Sequence, residues 1–383
     1  MSSPSVRHPG EFRWETRLLA VVTLVLTCFG VANCLAAGTY LEASYHEATQ
    51  QALAAMVGGV IFVVAAYTDY HNWRRVARPL LVATIIGLVL IAIAAVIWRK
   101  RPAPGPFETL FPLHLGARRW IRLGVQIQVS EIARFTLAAY LASRLAEMGT
   151  KVRNFREGFV PLFGVVAGAV VLVAVEPSVT MSVVIAIIGV AIVFTAGARI
   201  SHLLAPVALG VVALAAVLAV DPVRAKRYLA FGGAACAELD QVCNSLIGFG
   251  SGGLQGVGFG QGTQKLGHLP FSYSDFLLSV VGEEWGFVGV VFVGVCFALF
   301  CWMGFRIAKT ARDPFGTYLA SGITLGIGAT AFMHAAVVIG LMPATGLTLP
   351  FMSAGRVSLI LCLFSAGVLV SIGRSRGRPA RER

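Results

Sequence analysis

Charge is what this sequence has least of. Only 13% of its 383 residues are Asp, Glu, Lys or Arg, while 57% are hydrophobic. Soluble globular domains carry about 25% charged residues, and disordered chains are poorer still in apolar side chains, so both classes are excluded. A polytopic membrane protein remains. Acidic residues are scarcer than basic ones, 18 against 31, for a formal net charge of +13. No basic domain gathers that excess, so nucleic acid is not expected as a partner. A basic face of a membrane protein, or an anionic lipid substrate, accounts for it instead. The seven cysteines have no metal-ligand spacing. Cys28, Cys34, Cys296, Cys301 and Cys362 lie in apolar stretches and read as small buried hydrophobes. Cys236 and Cys243 share a polar loop and can form a disulfide if that loop faces an oxidising compartment. No Gly-Lys-Ser/Thr ending follows the glycine-rich stretch, which argues against an ATP site. The first apolar segment is long and lacks a small-residue cleavage site, so it reads as a first span rather than a signal peptide.

What is present is a succession of apolar segments. Spans are expected at 18–37, 52–66, 80–97, 130–145, 160–175, 180–195, 203–220, 276–305, 317–339 and 349–372. The fold class is therefore an all-α polytopic membrane protein with about ten transmembrane helices, since helices satisfy their own backbone in lipid. One membrane domain, 17–373, lies between a polar tail, 1–16, and an arginine-rich tail, 374–383. An amphipathic loop, 98–129, and a large glycine-rich loop, 221–275, between spans seven and eight, fall on one side. Most of the 31 basic residues fall in the tails and short turns of the other side. Both termini are thus expected in the cytoplasm and the two long loops outside it.

Ionisable groups in or beside spans are the candidates for chemistry, because charge there is costly unless paired or facing a polar cavity. Glu131 and Arg134 stand three apart on one helix face. They form either a structural ion pair or the lining of a cavity that holds a charged substrate or another helix. Glu176 precedes Pro177, at which the fifth span stops or kinks. Arg118, Arg119 and Arg122 around Trp120 make a cationic, partly apolar surface suited to diphosphate beside a lipid tail. Lipid headgroups would satisfy the same arginines. Pro343, Gly346, Pro350, Gly355 and Arg356 interrupt the last two spans, as backbone does where it lines an internal groove.

The stretch from Asn244 to Gly286 holds the strongest candidate. Each glycine costs a helix about 1 kcal/mol relative to alanine. With so many between Gly248 and Gly262, a loop or tight re-entrant structure is expected, acting as a mobile lid. Lys265 reads as a movable positive charge within it, and His268 as exposed and idle. Asp275 stands where the eighth span begins. It could simply cap that helix; capping is compatible with a role as a base, but cap donors would weaken it there. Glu283 and Glu284 are consecutive and so point apart; one is expected to face the interior and pair with Arg356 or Arg134.

In chain order, Gly116-Ala117-Arg118-Arg119-Trp120-Ile121, Gln128-Val129-Ser130-Glu131, Glu176-Pro177, the glycine block with Gln264-Lys265, Asp275-Phe276, Glu283-Glu284 and Gly346-Leu347-Thr348-Leu349-Pro350-Phe351 resemble the SEDS family of shape, elongation, division and sporulation proteins. The resemblance covers 18–373 and is nearer the cell-division branch than the elongation branch. It implies a ten-span polymerase of bacterial peptidoglycan that uses lipid II, a disaccharide-pentapeptide on undecaprenyl diphosphate, at the outer face of the cytoplasmic membrane. By the same resemblance, Asp275 falls on the family's essential aspartate, a general base or orienting group for the acceptor hydroxyl. Arg119, Lys265 or a divalent cation, magnesium or manganese, would stabilise the leaving diphosphate, and Glu131 and Arg134 would line the central cavity. No cofactor is fixed by it. A class B penicillin-binding protein and other division proteins are the implied partners. The chain departs from the family pattern at Val129 for proline, Ser178 for aspartate and Phe271 for glutamate, and at Ala354, Arg356 and Val357 for tyrosine, glycine and serine. Two other functions are weighed against polymerisation: a flippase for lipid-linked precursors, which would need access from both faces, and a non-catalytic division scaffold.

Overall fold

The computed structural model describes residues 13–38, 42–98, 103–113, 117–176, 178–198, 202, 208, 210 and 241–375. In chain order the elements are α1 Arg13–Gly38, α2 Glu42–Tyr67, α3 His71–Ile97, the short α4 Pro106–Leu110, strands β1 Trp120–Leu123 and β2 Val125–Gln128, α5 Val129–Met148, α6 Val160–Val175, α7 Val179–Thr195, α8 Gln241–Gly252, α9 Leu277–Lys309, α10 Pro314–Val338 and α11 Arg356–Arg374. Among the described residues seven helical stretches are long and apolar enough to cross a membrane: Trp14–Ala36, Thr49–Tyr67, His71–Ile97, Phe155–Val175, Leu277–Lys309, Pro314–Val338 and Arg356–Arg374. The chain is a helical, polytopic membrane protein. The expected seventh span, 203–220, lies almost wholly outside the described residues, as does the loop that follows it up to 240.

α5 was expected to be a span, yet it is more polar than the seven. Its position explains this. It packs against α3, α7 and α10 and buries Ser130, Glu131, Thr136 and Ser143 among them, so its polar groups meet protein rather than lipid. The apolar core runs through these helices and α9, with Leu88, Ile91, Leu137, Leu141, Phe300 and Phe315 fully enclosed.

The 98–129 segment is more structured than a loop. β1 and β2 form an antiparallel hairpin with Trp120 opposite Gln128 and Ile121 opposite Ile127, and β2 runs straight into α5. The alternation Trp120, Ile121, Arg122, Leu123, Gly124, Val125, Gln126, Ile127 carries the signal for it: aromatic and β-branched residues on either side of a glycine turn.

The glycine-rich stretch departs furthest from expectation. Its first part, α8, is helical in spite of Gly248, Gly250 and Gly252. The helix offsets its poor propensity by lying close on α9: a Cβ at Gly252 would come within 2.0 Å of the Gly282 carbonyl oxygen. Ser279 Oγ also donates to the Ser245 carbonyl at 3.0 Å, and Ser245 Oγ to the Val338 carbonyl at 2.7 Å. α9 is broken at Gly286, whose φ of 64° leaves the helical region. The turn after α8 fills that break. The amides of Val257 and Gly258 donate to the Glu283 and Glu284 carbonyls at 3.0 and 3.1 Å, and the amides of Phe287 and Val288 donate to the Gly253 and Leu254 carbonyls at 2.9 and 3.3 Å. Four backbone groups freed by the kink are thus satisfied by the glycine turn. The segment is a plug inserted into a broken helix, not a loose lid.

The two ends of the bundle differ in character. At one, Arg306 pairs with the buried Glu15 at 2.7 Å, its guanidinium 5.1 and 5.7 Å from the centres of Trp14 and Trp302, and Arg374 sits 4.0 Å from the centre of the Tyr67 ring. At the other, Lys265 of the glycine plug reaches the Ala36 carbonyl near the end of α1, and the segment before α11 reaches the turn before α9 through the Ala354 amide and the Tyr273 carbonyl.

Candidate active site

Asp275 is held by a turn that precedes α9. The amides of Ser274 and Asp275 both donate to the Phe271 carbonyl at 3.0 Å, and Phe271 adopts φ of 58°, a left-handed conformation rare for an aromatic residue. The segment between α10 and α11 clamps this turn. Ser353 Oγ accepts from the Leu349 amide at 2.9 Å and donates to the Ser274 carbonyl at 2.5 Å, and the Ala354 amide donates to the Tyr273 carbonyl at 2.9 Å. Gln51 of α2, fully buried, fixes the clamp: Nε2 donates to the Ser353 carbonyl at 2.7 Å and Oε1 accepts from the Gly355 amide at 3.1 Å. Gly346 approaches from the same segment, where a Cβ would lie 3.3 Å from Asp275 Oδ2.

This geometry leaves the cap position to another residue. Phe276 is the residue that caps α9, with no side-chain bond to the helix amides. The aspartate is therefore not stabilised as a cap. Burial raises its carboxyl to about 6, against the Ser274 hydrogen bond and the Arg119 charge, which both favour ionisation. It is partly exposed, next to the exposed Gly346. A carboxylate of that kind is a stronger base than an ordinary aspartate and still reaches solvent.

Arg119 also acts on Glu176, at the end of α6. Glu176 is fully buried, and neither carboxylate oxygen has a hydrogen-bond partner among the described residues. Burial pushes its carboxyl up to about 8, opposed by Arg119. The Arg119 charge thus opposes the effect of burial on both carboxyl groups. Tyr273, two residues from Asp275, is raised by burial first and then by the Glu47 and Asp275 charges. Glu47 pairs with Arg356 at 3.4 Å, both about two-fifths exposed. Arg356 thus sits at the N-terminal end of α11 as a partner of Glu47, not of Glu283.

Several residues singled out in the sequence turn out to be differently placed. Lys265 is fully buried, and its ammonium donates to the Ala36 carbonyl at 2.9 Å, the Gly260 carbonyl at 2.8 Å and Glu284 Oε1 at 2.7 Å. These partners engage all three of its protons, so it is a fixed strut where a movable substrate ligand was expected. Glu284 Oε2 accepts from the Gly260 amide at 2.9 Å. Glu283 Oε1 accepts from the Thr263 amide and hydroxyl at 2.7 and 2.9 Å, and Oε2 from the Gln264 amide at 3.2 Å. The expected pairing of one of these glutamates with Arg356 or Arg134 is thus replaced: both reach the glycine plug. Arg118 is buried and bonded to the Phe111 carbonyl and, at 2.7 Å, to Glu108. That hydrogen bond, helped by the Ala103 and Leu113 amides, draws the Glu108 carboxyl down to about 2. Arg118 therefore staples its own loop, whereas the charge of Arg119 favours ionisation of Asp275 and Glu176. His268 is exposed. Cys243 is buried and disulfide-bonded; Cys236 lies outside the described residues.

Glu131 and Arg134 form an ion pair of 3.4 Å, with Arg134 also donating to Thr330 Oγ1 at 3.2 Å. They line a small cavity of about 30 Å³ with Ile188, Ile323, Cys362 and Ser365. The pair is thus an ion pair that also borders a cavity. Asp275 does not line this space. As for a divalent cation, no three His, Cys, Asp or Glu side chains are grouped to hold one among the described residues. No step below runs through one.

The structure thus defines a polytopic membrane protein with two carboxyl groups, Asp275 and Glu176, raised by burial. The family model described as cell cycle protein, covering FtsW, RodA and SpoVE, matches residues 15–378, and the chain belongs to that family, the SEDS proteins. A probable peptidoglycan glycosyltransferase FtsW of Geobacter sp. strain M18 is 34% identical, over 94% of this chain and 97% of its own length. Stage V sporulation protein E of Bacillus subtilis is 33% identical over 93% and 96%. Among solved structures, the rod shape determining protein RodA of Thermus thermophilus superposes with a TM-score of 0.68 at 25% identity, covering 94% of this chain and 97% of that one. A chain from a peptidoglycan synthase complex that coordinates polymerization and crosslinking gives a TM-score of 0.75 at 24% identity, with the same coverage, and so shares the fold.

Proposed function

We propose that this chain is a peptidoglycan glycosyltransferase that polymerises lipid II at the outer face of the cytoplasmic membrane during cell division. The observation that carries the reading is Asp275: uncapped, raised to about 6 by burial against the charge of Arg119, and partly exposed. Family membership supports the chemistry, and several relatives are named as glycosyltransferases of this kind. The orientation is supported by the basic residues Arg306, Lys309 and Arg374, which close α9 and α11 at the ends away from Asp275. Both termini are then cytoplasmic and Asp275 faces outward.

In this mechanism Asp275, ionised above pH 6, takes the proton of the acceptor sugar's 4-hydroxyl. The freed oxygen attacks the anomeric carbon at the muramyl end of the growing chain. A new glycosidic C–O bond forms, the C–O bond to the diphosphate breaks, and undecaprenyl diphosphate leaves with the electron pair. Arg119 offsets the negative charge that develops there. Arg118 and Lys265, engaged in the fold, take no part in the step. A class B penicillin-binding protein is the crosslinking partner in this proposal, supported by the shared fold with a chain from a synthase complex.

The test is reconstitution with the cognate transpeptidase and labelled lipid II, comparing Asp275→Asn with the unmodified chain. Glycan polymer is expected from the unmodified chain alone. Polymer at full rate from the variant would overturn the role of Asp275, and precursor crossing liposomes without polymer would favour transport.

A further inference from the structure

His334 is a buried side chain that the mechanism above does not use. It lies on α10, which packs against α5, α7, α9 and α11, and it is fully enclosed. Its Nδ1 stands 2.6 Å from the Leu347 carbonyl oxygen. A carbonyl can only accept, so Nδ1 carries the proton and donates it. Nε2 is buried with no hydrogen-bond partner among the described residues, so the ring's polar contact there is the one with Leu347. That acceptor belongs to the segment beside Asp275. At the end of α10 the Leu341 and Met342 amides donate to the Ala336 carbonyl at 2.7 and 3.0 Å, and further on the Leu349 amide donates to Ser353 Oγ at 2.9 Å. Between these anchors, over 343–348, the backbone makes one hydrogen bond among the described residues, and it comes from His334. Gly346, next to Leu347, is the residue whose Cβ would lie 3.3 Å from Asp275 Oδ2.

We propose that His334 is a positioning residue for the polymerisation step: it ties the Gly346–Leu347 backbone to α10 and so holds that backbone against the Asp275 carboxylate. The inference rests on the reading of Asp275 as the base. Without the tie the buried Leu347 carbonyl loses its partner, and the segment shifts to find another donor. Gly346 then no longer limits where the carboxylate stands, and a misplaced base loses rate. The donor has to sit at the δ position of the side chain. Asn carries one there, because its Nδ2 falls where Nδ1 of the imidazole does. The amide nitrogen of Gln falls instead at the ε position, where the ring makes no hydrogen bond among the described residues. Leu offers no donor at all.

The experiment measures glycan polymer formation from labelled lipid II by the full chain with its transpeptidase partner, at matched amounts of folded protein. His334→Leu and His334→Gln are expected to lower the rate by about tenfold, while His334→Asn stays within about threefold of the unmodified chain. Two residues that act through one contact do not add. His334→Leu combined with Gly346→Ala is therefore expected within about threefold of either single variant, whereas independent structural defects would multiply to about a hundredfold. Equal losses in His334→Asn and His334→Gln would overturn the proposal, as would multiplied losses in the double variant. Nitrogen NMR of ring-labelled histidine in the unmodified chain keeps the test open if the variants do not fold. A protonated Nδ1 and an unprotonated Nε2 are expected for His334, and a proton on Nε2 alone overturns the assignment. An Asp275→Asn chain at full rate would remove the base reading and this inference with it. A slow Asp275→Asn beside a His334→Leu at full rate would overturn the inference alone.

Discussion

Two groups of acidic residues in this chain have opposite fates. Glu283 and Glu284 are buried and saturated: amides, a hydroxyl and the ammonium of Lys265 occupy their oxygens. Asp275 and Glu176 are buried to differing degrees and undersupplied. Asp275 has a serine, Glu176 has no hydrogen bond among the described residues, and the charge of Arg119 favours ionisation of both. Burial costs both pairs alike. The difference is in who compensates it. Where the chain itself satisfies a buried charge, the charge holds structure together; where it does not, the group is left with a perturbed proton affinity that chemistry can use.

The comparison breaks most visibly under substitution at each side. Asp275→Asn should lower the polymerisation rate by about 10²–10⁴-fold, the usual worth of a general base. It should also raise stability at neutral pH. The raised carboxyl binds its proton more tightly folded than unfolded, so stability falls as pH rises from about 4 to 6, on the order of 1–2 kcal/mol after screening on its exposed side, and the amide removes that loss. Lys265→Met should do the reverse. It strands Glu284 without its cation and should cost roughly 3–5 kcal/mol of stability, read as a fall in the unfolding midpoint in detergent, with activity lost in proportion to unfolded protein. A Lys265→Met chain of unaltered stability would show that the satisfied group is not structural.

Smaller effects sharpen the boundary. Gly346→Ala places a Cβ against Asp275 Oδ2 at a residue with φ of 64°. The strain should cost about 1 kcal/mol, and displacement of the carboxylate should lower the rate by about tenfold. Equal rates for this variant and the unmodified chain, at matched folding, would mean that Gly346 does not set the carboxylate's position. His268→Ala, on the exposed surface of the plug, should change stability by less than about 0.5 kcal/mol and leave polymer yield unaltered.

How much of this was legible in the sequence depended on whether the cause was local. The apolar segments and the spacing of Glu131 and Arg134 are local; seven of the stretches are long apolar helices, and the two residues pair beside a cavity. The hairpin at 120–128 was equally local and was passed over, because its alternation lay inside a loop expected to be irregular. The glycine stretch was misjudged for the opposite reason. Propensity counts the cost of Gly248, Gly250 and Gly252 within the helix, but their benefit is close approach to α9, a tertiary contact. Lys265 looked mobile because a lysine among glycines usually is. Its burial depends on a carbonyl of α1 more than two hundred residues away, at Ala36. Of the adjacent arginines, the sequence could not say that Arg118 is taken up by its own loop, since that is fixed by the Glu108 staple.

The most direct measurement of the central claim is the acid side of the polymerisation rate for the unmodified chain with its partner, followed from pH 4.5 to 7.5. If the undersupplied aspartate is the base, the rate should be half-maximal near pH 6 and flat through neutrality, because burial holds Asp275 protonated to that point. A rate already at its plateau at pH 4.5, as an ordinary exposed aspartate near 3.9 would give, would contradict the account.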